Sequence, residues 1–281
     1  MQASIIVTAT LLVVKFAALS YSAWAGAAEN AYDEALKLHR AGKIGEAIAA
    51  YDKVIKADPG LARAYIGRGE AYARLGQQDR AIKDHDQAIK LNPKIAEAYY
   101  YRGNAYEELK QHERAIKDYD EAIGLDGKNS NAYRQRGGAH HALSRFDKAV
   151  QDFTEAIRLD PKDAAAYYER GLAQRRLGKH EPAVQDYTKA LGLDLKNAAV
   201  YSNRANAYLL LGQYDKAVLD YDAALKLEPK NAMIYANRGV VKLEQGKKAE
   251  AEKDFARAIE LDPGIKKKLE PVTGAKSAPV K

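Results

Sequence analysis

Arginine recurs along the chain with tyrosine three residues before it, and this pair is the most regular chemical feature of the sequence. Tyr65 and Arg68 form the first of six such pairs, and the others follow every 34 residues up to Tyr235 and Arg238. A row of guanidinium groups is suited to binding carboxylates or phosphates through paired hydrogen bonds. Six identical catalytic sites are a weaker interpretation than one scaffold contact repeated along the chain. We therefore predict that these arginines are structural.

The partner that this interpretation requires is an aspartate 16 residues after each arginine. The first segment of the pattern lacks both groups, with Glu34 and Ala50 at the equivalent positions. Because the two are lost together, we predict an ion pair within each segment, such as Arg68 with Asp84. The aspartates at this position are Asp84, Asp118, Asp152, Asp186, Asp220 and Asp254.

The remaining candidate groups for catalysis or metal binding do not form a site. No two of the six histidines have the i, i+4 spacing around a glutamate that a zinc-binding helix uses. His140 and His141 are adjacent, so they point to different faces of a helix. Cysteine is absent, which excludes thiolate metal sites, disulfides and a cysteine nucleophile. No phosphate-binding loop is present. We predict a protein that is not an enzyme and that has no cofactor or metal.

Composition indicates a folded chain that does not bind nucleic acid. Hydrophobic residues make up 47% and charged residues 30% of the 281 residues, as in globular proteins. The net charge of +7 is spread over segments that also carry acids, such as KDYDEAI. A nucleic-acid interface instead gathers its basic residues on one face.

The N-terminal segment differs from the rest of the chain. It reads MQASIIVTATLLVVKFAALSYSAWAGAAEN, an apolar run followed by small residues, with no acid before Glu29. This pattern is typical of a secretory signal, which we expect over residues 1–27, with cleavage after about Ala25 or Ala27. Lys15 interrupts the apolar run, so an uncleaved membrane anchor over residues 5–25 is the alternative. We expect a periplasmic or secreted protein, or a membrane-anchored one if the segment is retained.

The rest of the chain is one unit repeated with a period of 34 residues. Pro59, Pro93, Pro161, Pro229 and Pro263 are separated by that period or its multiples. Each unit contains two amphipathic stretches, for example residues 64–75 and 79–91, which end at Gly76 and before Pro93. A helical hairpin of this size cannot bury its own apolar faces, so a fixed period in this range predicts a stacked solenoid.

These positions resemble the tetratricopeptide repeat (TPR) family. The resemblance implies an all-α, right-handed solenoid of seven helix-turn-helix repeats, followed by a basic and disordered tail over residues 266–281. It also implies that small residues at repeat positions 8 and 20 let the two helices approach, with Gly69 against Ala81 and Gly171 against Ala183. The expected repeats are 28–61, 62–95, 96–129, 130–163, 164–197, 198–231 and 232–265.

In this family the first helices line a concave groove that binds a protein or an extended peptide. The resemblance therefore implies a partner-binding site, in which Arg134, Arg175 and Arg176 grip carboxylates and the C-terminal repeats bind an apolar anchor. The candidate site residues are Tyr100, Asn104, Arg134, His141, Tyr168, Arg175, Arg176, Asn206, Leu209, Leu210, Met233, Val240 and Leu243.

The function expected from this reading is a scaffold or adaptor of the bacterial cell envelope. Two alternatives stay open. The protein could be structural and associate with itself through the ends of the repeat array, because only a short tail follows Pro263. It could also bind cell-wall glycan through the tyrosines and asparagines of the groove.

Overall fold

The structure is a computed structural model that describes residues 29–274, with side chains up to residue 270. Both N-terminal predictions, the signal over residues 1–27 and the anchor over residues 5–25, lie outside the described residues. The described residues form two compact units that divide between Lys128 and Asn129.

The first unit is helical throughout its described part. Its first helix, α1, covers residues 29–40. The helices that follow are α2 (Ile44–Ala57), α3 (Ala62–Arg74), α4 (Gln78–Leu91), α5 (Ala96–Glu108) and α6 (His112–Leu125). α3 packs on α4 and α5 packs on α6, and α3 also contacts α5.

The second unit repeats the same arrangement. Its helices are α7 (Ser130–Ala142), α8 (Phe146–Leu159), α9 (Ala164–Arg176), α10 (His180–Gly192), α11 (Ala198–Leu210), α12 (Tyr214–Leu227), α13 (Ala232–Glu244), α14 (Lys248–Leu261) and α15 (Ile265–Gly274). Consecutive helices form hairpins, and α7, α9, α11 and α13 each contact the next in that series. The described residues contain no strand, so the prediction of an all-α repeat fold is confirmed.

A left-handed residue ends the first helix of every hairpin. Gly76 has a φ of 71° after α3, which closes the turn before α4. Glycine adopts this conformation without steric cost. Lys110 (φ 59°) and Ser144 (φ 58°) occupy the same place in the next two hairpins, so the turn geometry persists where glycine is missing.

Small residues allow the two helices of each hairpin to pack closely. The alanines that recur along the second helices have no exposed surface: Ala47, Ala81, Ala115, Ala149, Ala183, Ala217 and Ala251. The expected contact of Gly69 with Ala81 requires correction, because a methyl group at Gly69 would lie 2.6 Å from the ring of His85. A methyl group at Gly171 would lie 2.7 Å from the ring of Tyr187. These glycines therefore make room for a ring of the second helix.

The predicted disorder of the tail is wrong for residues 266–274, which lie in α15. Ile265 and Leu269 are four residues apart and therefore share one face of this helix. They are 2% and 6% exposed in a cluster with Ala236 and Phe255 of the last hairpin. Burial of this apolar pair explains why the segment is helical. Residues 275–281 lie outside the described residues.

Candidate functional site

The repeated arginines form ion pairs with the predicted aspartates. Arg68 Nε donates to Asp84 Oδ2 at 2.8 Å and Arg68 Nη2 donates to Asp84 Oδ1 at 2.7 Å. This bidentate geometry joins the two helices of a hairpin. The same pairing occurs at Arg102–Asp118, Arg136–Asp152, Arg170–Asp186, Arg204–Asp220 and Arg238–Asp254. These arginines therefore belong to the scaffold.

Each of these arginines also reaches back to the preceding hairpin where the structure gives its third nitrogen a partner. Arg68 Nη1 donates to Asp52 Oδ1 at 2.6 Å, and Arg170 Nη1 donates to Thr154 Oγ1 at 3.1 Å. Sequence reasoning missed this second acceptor, although a signal was present 16 residues before each arginine. The equivalent acceptors are Asp86, Thr188 and Asp222.

The tyrosine of the Tyr-x-x-Arg motif packs against the arginine. The guanidinium carbon of Arg170 lies 5.7 Å from the ring centroid of Tyr167, within the range of a cation–π contact. Arg68 lies 5.6 Å from the centroid of Tyr65 in the same way. The motif is thus a structural unit in which the ring holds the guanidinium over the hairpin.

Arg134, one of the candidate site residues, already has carboxylate partners. Its Nε lies 3.0 Å from Asp163 Oδ2 and its Nη1 lies 3.7 Å from Glu169 Oε1. Burial raises the pKa of Glu169 to about 7, with Arg134 acting in the opposite direction. Both acids stand in or next to α9, so Arg134 connects α7 to α9 and is less available to a ligand than expected.

Arg175 and Arg176 end α9 and have no such partner. The described residues place no carboxylate oxygen within 4 Å of either guanidinium. Arg176 is exposed, and its guanidinium carbon lies 5.1 Å from the ring centroid of Phe146. The ring of His141 packs on Phe146 at 5.2 Å. Burial lowers the pKa of His141, and the charges of Arg176 and Arg175 lower it further.

Tyr168 adjoins this basic pair on α9. Its hydroxyl accepts a 3.1 Å hydrogen bond from Asn203 Nδ2 of α11, and its ring packs against Tyr187 at 5.9 Å. Arg175 lies close enough to lower the pKa of Tyr168, although burial raises that pKa overall. The second unit therefore brings His141, Tyr168, Arg175 and Arg176 together on neighbouring helices.

The candidate residues of α11 and α13 divide into packed and exposed groups. Asn206 Oδ1 accepts a hydrogen bond from the Tyr221 hydroxyl at 2.6 Å. Leu210 and Met233 are 58% and 44% exposed. The other apolar candidates, which pack against the buried clusters of the unit, are Leu209, Val240 and Leu243.

The first unit contains the two remaining candidates, Tyr100 and Asn104. The ring of Tyr100 packs edge-on against Tyr101 at 5.2 Å. Asn104 Oδ1 accepts a 2.8 Å hydrogen bond from the hydroxyl of Tyr119. Both residues therefore contribute to packing within α5 and α6.

A cleft of about 340 Å³ in the first unit escaped the sequence analysis. We call it the α3 cleft, because four of its lining residues lie on that helix. Gly67 leaves room beside the Tyr51 ring, where a methyl group would lie 2.5 Å from Cζ. The α3 cleft is lined by Tyr32, Leu36, Tyr51, Arg63, Ile66, Gly67, Glu70, Ile95, Glu97 and Tyr101.

Neither unit shows a metal-binding arrangement in its described part. Residues 29–274 contain no group of three or more histidine, aspartate or glutamate side chains placed to hold a metal ion. Within the same range no helix has the length and apolar character needed to cross a membrane.

Family profiles match most of the chain. The profile described as TPR repeat matches residues 37–76, 69–110, 139–178 and 205–246, which together exceed half of the sequence. Two profiles described as tetratricopeptide repeat match residues 96–129 and 164–197, and residues 232–265. No curated protein matches the sequence.

Solved structures with the same fold include three that differ in how much they share. MamA is 31% identical over 56% of this chain and 92% of its own, with a TM-score of 0.53. YrrB is 22% identical over 66% of this chain and 95% of its own, with a TM-score of 0.59. PilF of Pseudomonas aeruginosa is 21% identical over 72% of this chain and 92% of its own, with a TM-score of 0.62.

Proposed function

Because the chain belongs to the tetratricopeptide repeat family, we propose that it is a non-enzymatic scaffold that binds a protein or an extended peptide. The binding surface is the row of first helices in the second unit. Arg175 and Arg176 bind an acidic side chain of the partner. Tyr168 contacts its backbone, and Leu210 and Met233 contact an apolar residue.

The observation that carries this proposal is the unpaired state of Arg175 and Arg176. In the described part of the chain the six motif arginines and Arg134 all have carboxylate partners, whereas these two have none within 4 Å. Arginine presents several donors in a planar fork that matches a carboxylate. Two adjacent free guanidinium groups beside a tyrosine hydroxyl therefore support recognition of an acidic segment.

Exposed apolar side chains extend the same surface. Leu210 and Met233 lie on α11 and α13, which contact each other, and both side chains are more than one-third exposed. Exposed apolar groups next to a polar cluster are typical of protein contact sites. YrrB is described as a TPR protein with an unusual peptide-binding site, and that description concerns YrrB.

We also propose export to the periplasm or cell exterior, which would make this protein an envelope adaptor. The support is the apolar and small-residue pattern of residues 1–27. Self-assembly through the repeat ends has less support at the C-terminal end, because α15 buries Ile265 and Leu269 there.

Affinity capture from an envelope extract tests the proposal, with the full chain as bait. The variant Arg175→Glu/Arg176→Glu runs beside it and is expected to lose the partner, because repulsion replaces attraction. A matched control, Lys148→Glu/Lys189→Glu, makes the same charge change at exposed sites on α8 and α10 and is expected to retain it. Circular dichroism confirms that all three chains fold.

Two results would overturn the proposed surface. Capture of the same proteins by all three baits would place the binding site elsewhere. Capture of nothing by any bait would remove the support for a partner in the envelope.

A further inference from the structure

The α3 cleft is built from three aromatic rings and two carboxylates. The ring centroids of Tyr32 and Tyr51 are 6.0 Å apart at an interplanar angle of 54°. The Tyr101 ring completes the lining and stacks on His85 at 6.0 Å. Aromatic faces carry partial negative charge and attract cations. The cleft is therefore electron-rich on several sides.

Glu70 is the acidic group inside the cleft, and it has no cationic partner. Among the described residues no lysine or arginine nitrogen lies within 4 Å of its carboxylate. Its carboxylate interacts with the Tyr101 hydroxyl, while burial raises the pKa of Glu70. Glu97, one turn before Tyr101, is exposed at the edge of the cleft. A carboxylate that is partly buried without a cation is unfavourable until one is supplied.

The only basic residue that lines the cleft is already engaged. The guanidinium of Arg63 forms an ion pair with Glu29. Its central carbon also lies 4.6 Å from the Tyr32 ring centroid. Arg63 therefore neutralises Glu29 and leaves the charge of Glu70 uncompensated.

A buried hydroxyl group also lacks a partner at this place. Tyr51 has no exposed surface, and its hydroxyl makes no hydrogen bond. The matching hydroxyl of Tyr119 bonds to Asn104, but Leu36 occupies that position opposite Tyr51. The hydroxyl lies beside Gly67, since a methyl group there would be 2.6 Å from the oxygen. An unpaired buried hydroxyl is costly, and a ligand that supplies a partner regains that cost.

We infer that the α3 cleft binds a lysine or arginine side chain of a polypeptide partner, with its cationic head at Glu70 and its stem between the tyrosine rings. An acidic side chain is excluded because Glu70 and Glu97 repel it. An apolar side chain would leave the Glu70 carboxylate and the Tyr51 hydroxyl unpaired. The volume of about 340 Å³ suits a single long side chain. This inference rests on the proposed function, because it assigns a second anchor to the same class of partner.

The test uses two small probes and the full chain labelled with ¹⁵N. N-acetyl-lysine N-methylamide is titrated into the protein while amide signals are followed by NMR, and N-acetyl-glutamate N-methylamide serves as the acidic control. We expect saturable shifts for amides of residues 66–70 and 97–101 with the lysine probe only. The variant Glu70→Gln keeps the shape of the side chain and is expected to weaken lysine-probe binding roughly 5- to 10-fold.

The matched control is Glu169→Gln, which alters another partly buried carboxylate whose pKa burial raises, in the second unit. It is expected to leave binding of the lysine probe unchanged. Equal binding of both probes, absence of shifts in the α3 cleft, or unchanged affinity in Glu70→Gln would each overturn the inference. None of these results depends on Arg175 or Arg176, so the envelope capture reports on the proposed function separately.

Discussion

Asn206 Oδ1 accepts a 2.6 Å hydrogen bond from the hydroxyl of Tyr221, a fully buried residue of the next helix. Asn104 makes the same bond to Tyr119 at 2.8 Å, again across 15 residues. These asparagines thus have a scaffold role in addition to their place among the candidate binding residues. They satisfy a buried phenol that would otherwise have no partner.

The pair Leu36 and Tyr51 shows what happens without the asparagine. Tyr51 is as deeply buried as Tyr119, but its hydroxyl has no hydrogen-bond partner. We therefore expect Tyr119→Phe to lower the free energy of unfolding by about 1 kcal/mol, because it breaks a hydrogen bond and strands Asn104. Tyr51→Phe is expected to change it by less than about 0.5 kcal/mol, or to raise it. Urea denaturation measures both, and equal costs would contradict the assignment.

Arg102 bonds to two aspartates that differ in exposure. Asp118 is 7% exposed and lies in the same hairpin, whereas Asp86 of the preceding hairpin is 52% exposed. Asp118→Ala leaves a partly buried guanidinium without its bidentate partner and should cost about 3–5 kcal/mol. Asp86→Ala should cost less than about 1 kcal/mol, because water screens that contact. Thermal and chemical denaturation of the two variants would show whether burial sets the difference, and a reversed order would refute it.

Gly137 and Gly138 are neighbours in α7 with opposite surroundings. A methyl group at Gly137 would lie 2.8 Å from the Phe153 ring, whereas one at Gly138 would meet nothing within 4 Å. Gly137→Ala is expected to destabilise the chain by about 1–3 kcal/mol through overpacking. Gly138→Ala is expected to stabilise it by up to about 1 kcal/mol, because alanine favours the helix. Denaturation curves of the two variants test this, and a gain in stability for both would disprove the ring contact.

His85 makes stability depend on pH. Burial lowers the pKa of His85 to about 3, and the charge of Arg102 adds to the effect. In the unfolded chain histidine titrates near pH 6.5. Below that pH the unfolded state binds a proton that the folded state does not, so the free energy of unfolding falls. The loss due to His85 approaches about 1.4 kcal/mol per pH unit between the two pKa values.

The variant His85→Phe isolates this contribution, since Phe153 occupies the equivalent place beside Gly137. His39, His140 and His141 also have lowered pKa values, and they remain in both proteins. Denaturation at pH 7.5 and pH 5 should show a smaller loss of stability for the variant. Parallel pH profiles would mean that His85 is protonated in the folded state.

The sequence was sufficient to predict features that depend on local pattern. Helix boundaries near Gly76 and Pro93 followed from residues that end helices. The ion pair of Arg68 with Asp84 followed from two groups that are absent together in the first hairpin. Such features repeat with the period, so each copy supports the others. The helix over 265–274 was missed because its stability comes from burying Ile265 and Leu269 against α13 and α14.

The candidate site was harder to predict because it depends on contacts between hairpins. Arg134 counted as a free cation until the structure placed Asp163 and Glu169 beside it. The α3 cleft arises where Gly67 lacks a side chain next to Tyr51 of another helix. A pattern read one repeat at a time does not contain such neighbours. Arg175 and Arg176 remain the predicted contact residues.

The second acceptor of the motif arginines varies along the second unit, and this variation has a consequence for partial unfolding. Arg170 and Arg204 reach back to Thr154 and Thr188, neutral hydroxyls, whereas Arg238 reaches back to the carboxylate of Asp222. Arrays of repeats unfold according to the strength of each interface between neighbours. A charged acceptor holds the guanidinium more strongly than a hydroxyl does. The junctions at Thr154 and Thr188 are therefore the weak points at which hydrogen exchange within this unit should first reveal cooperative opening.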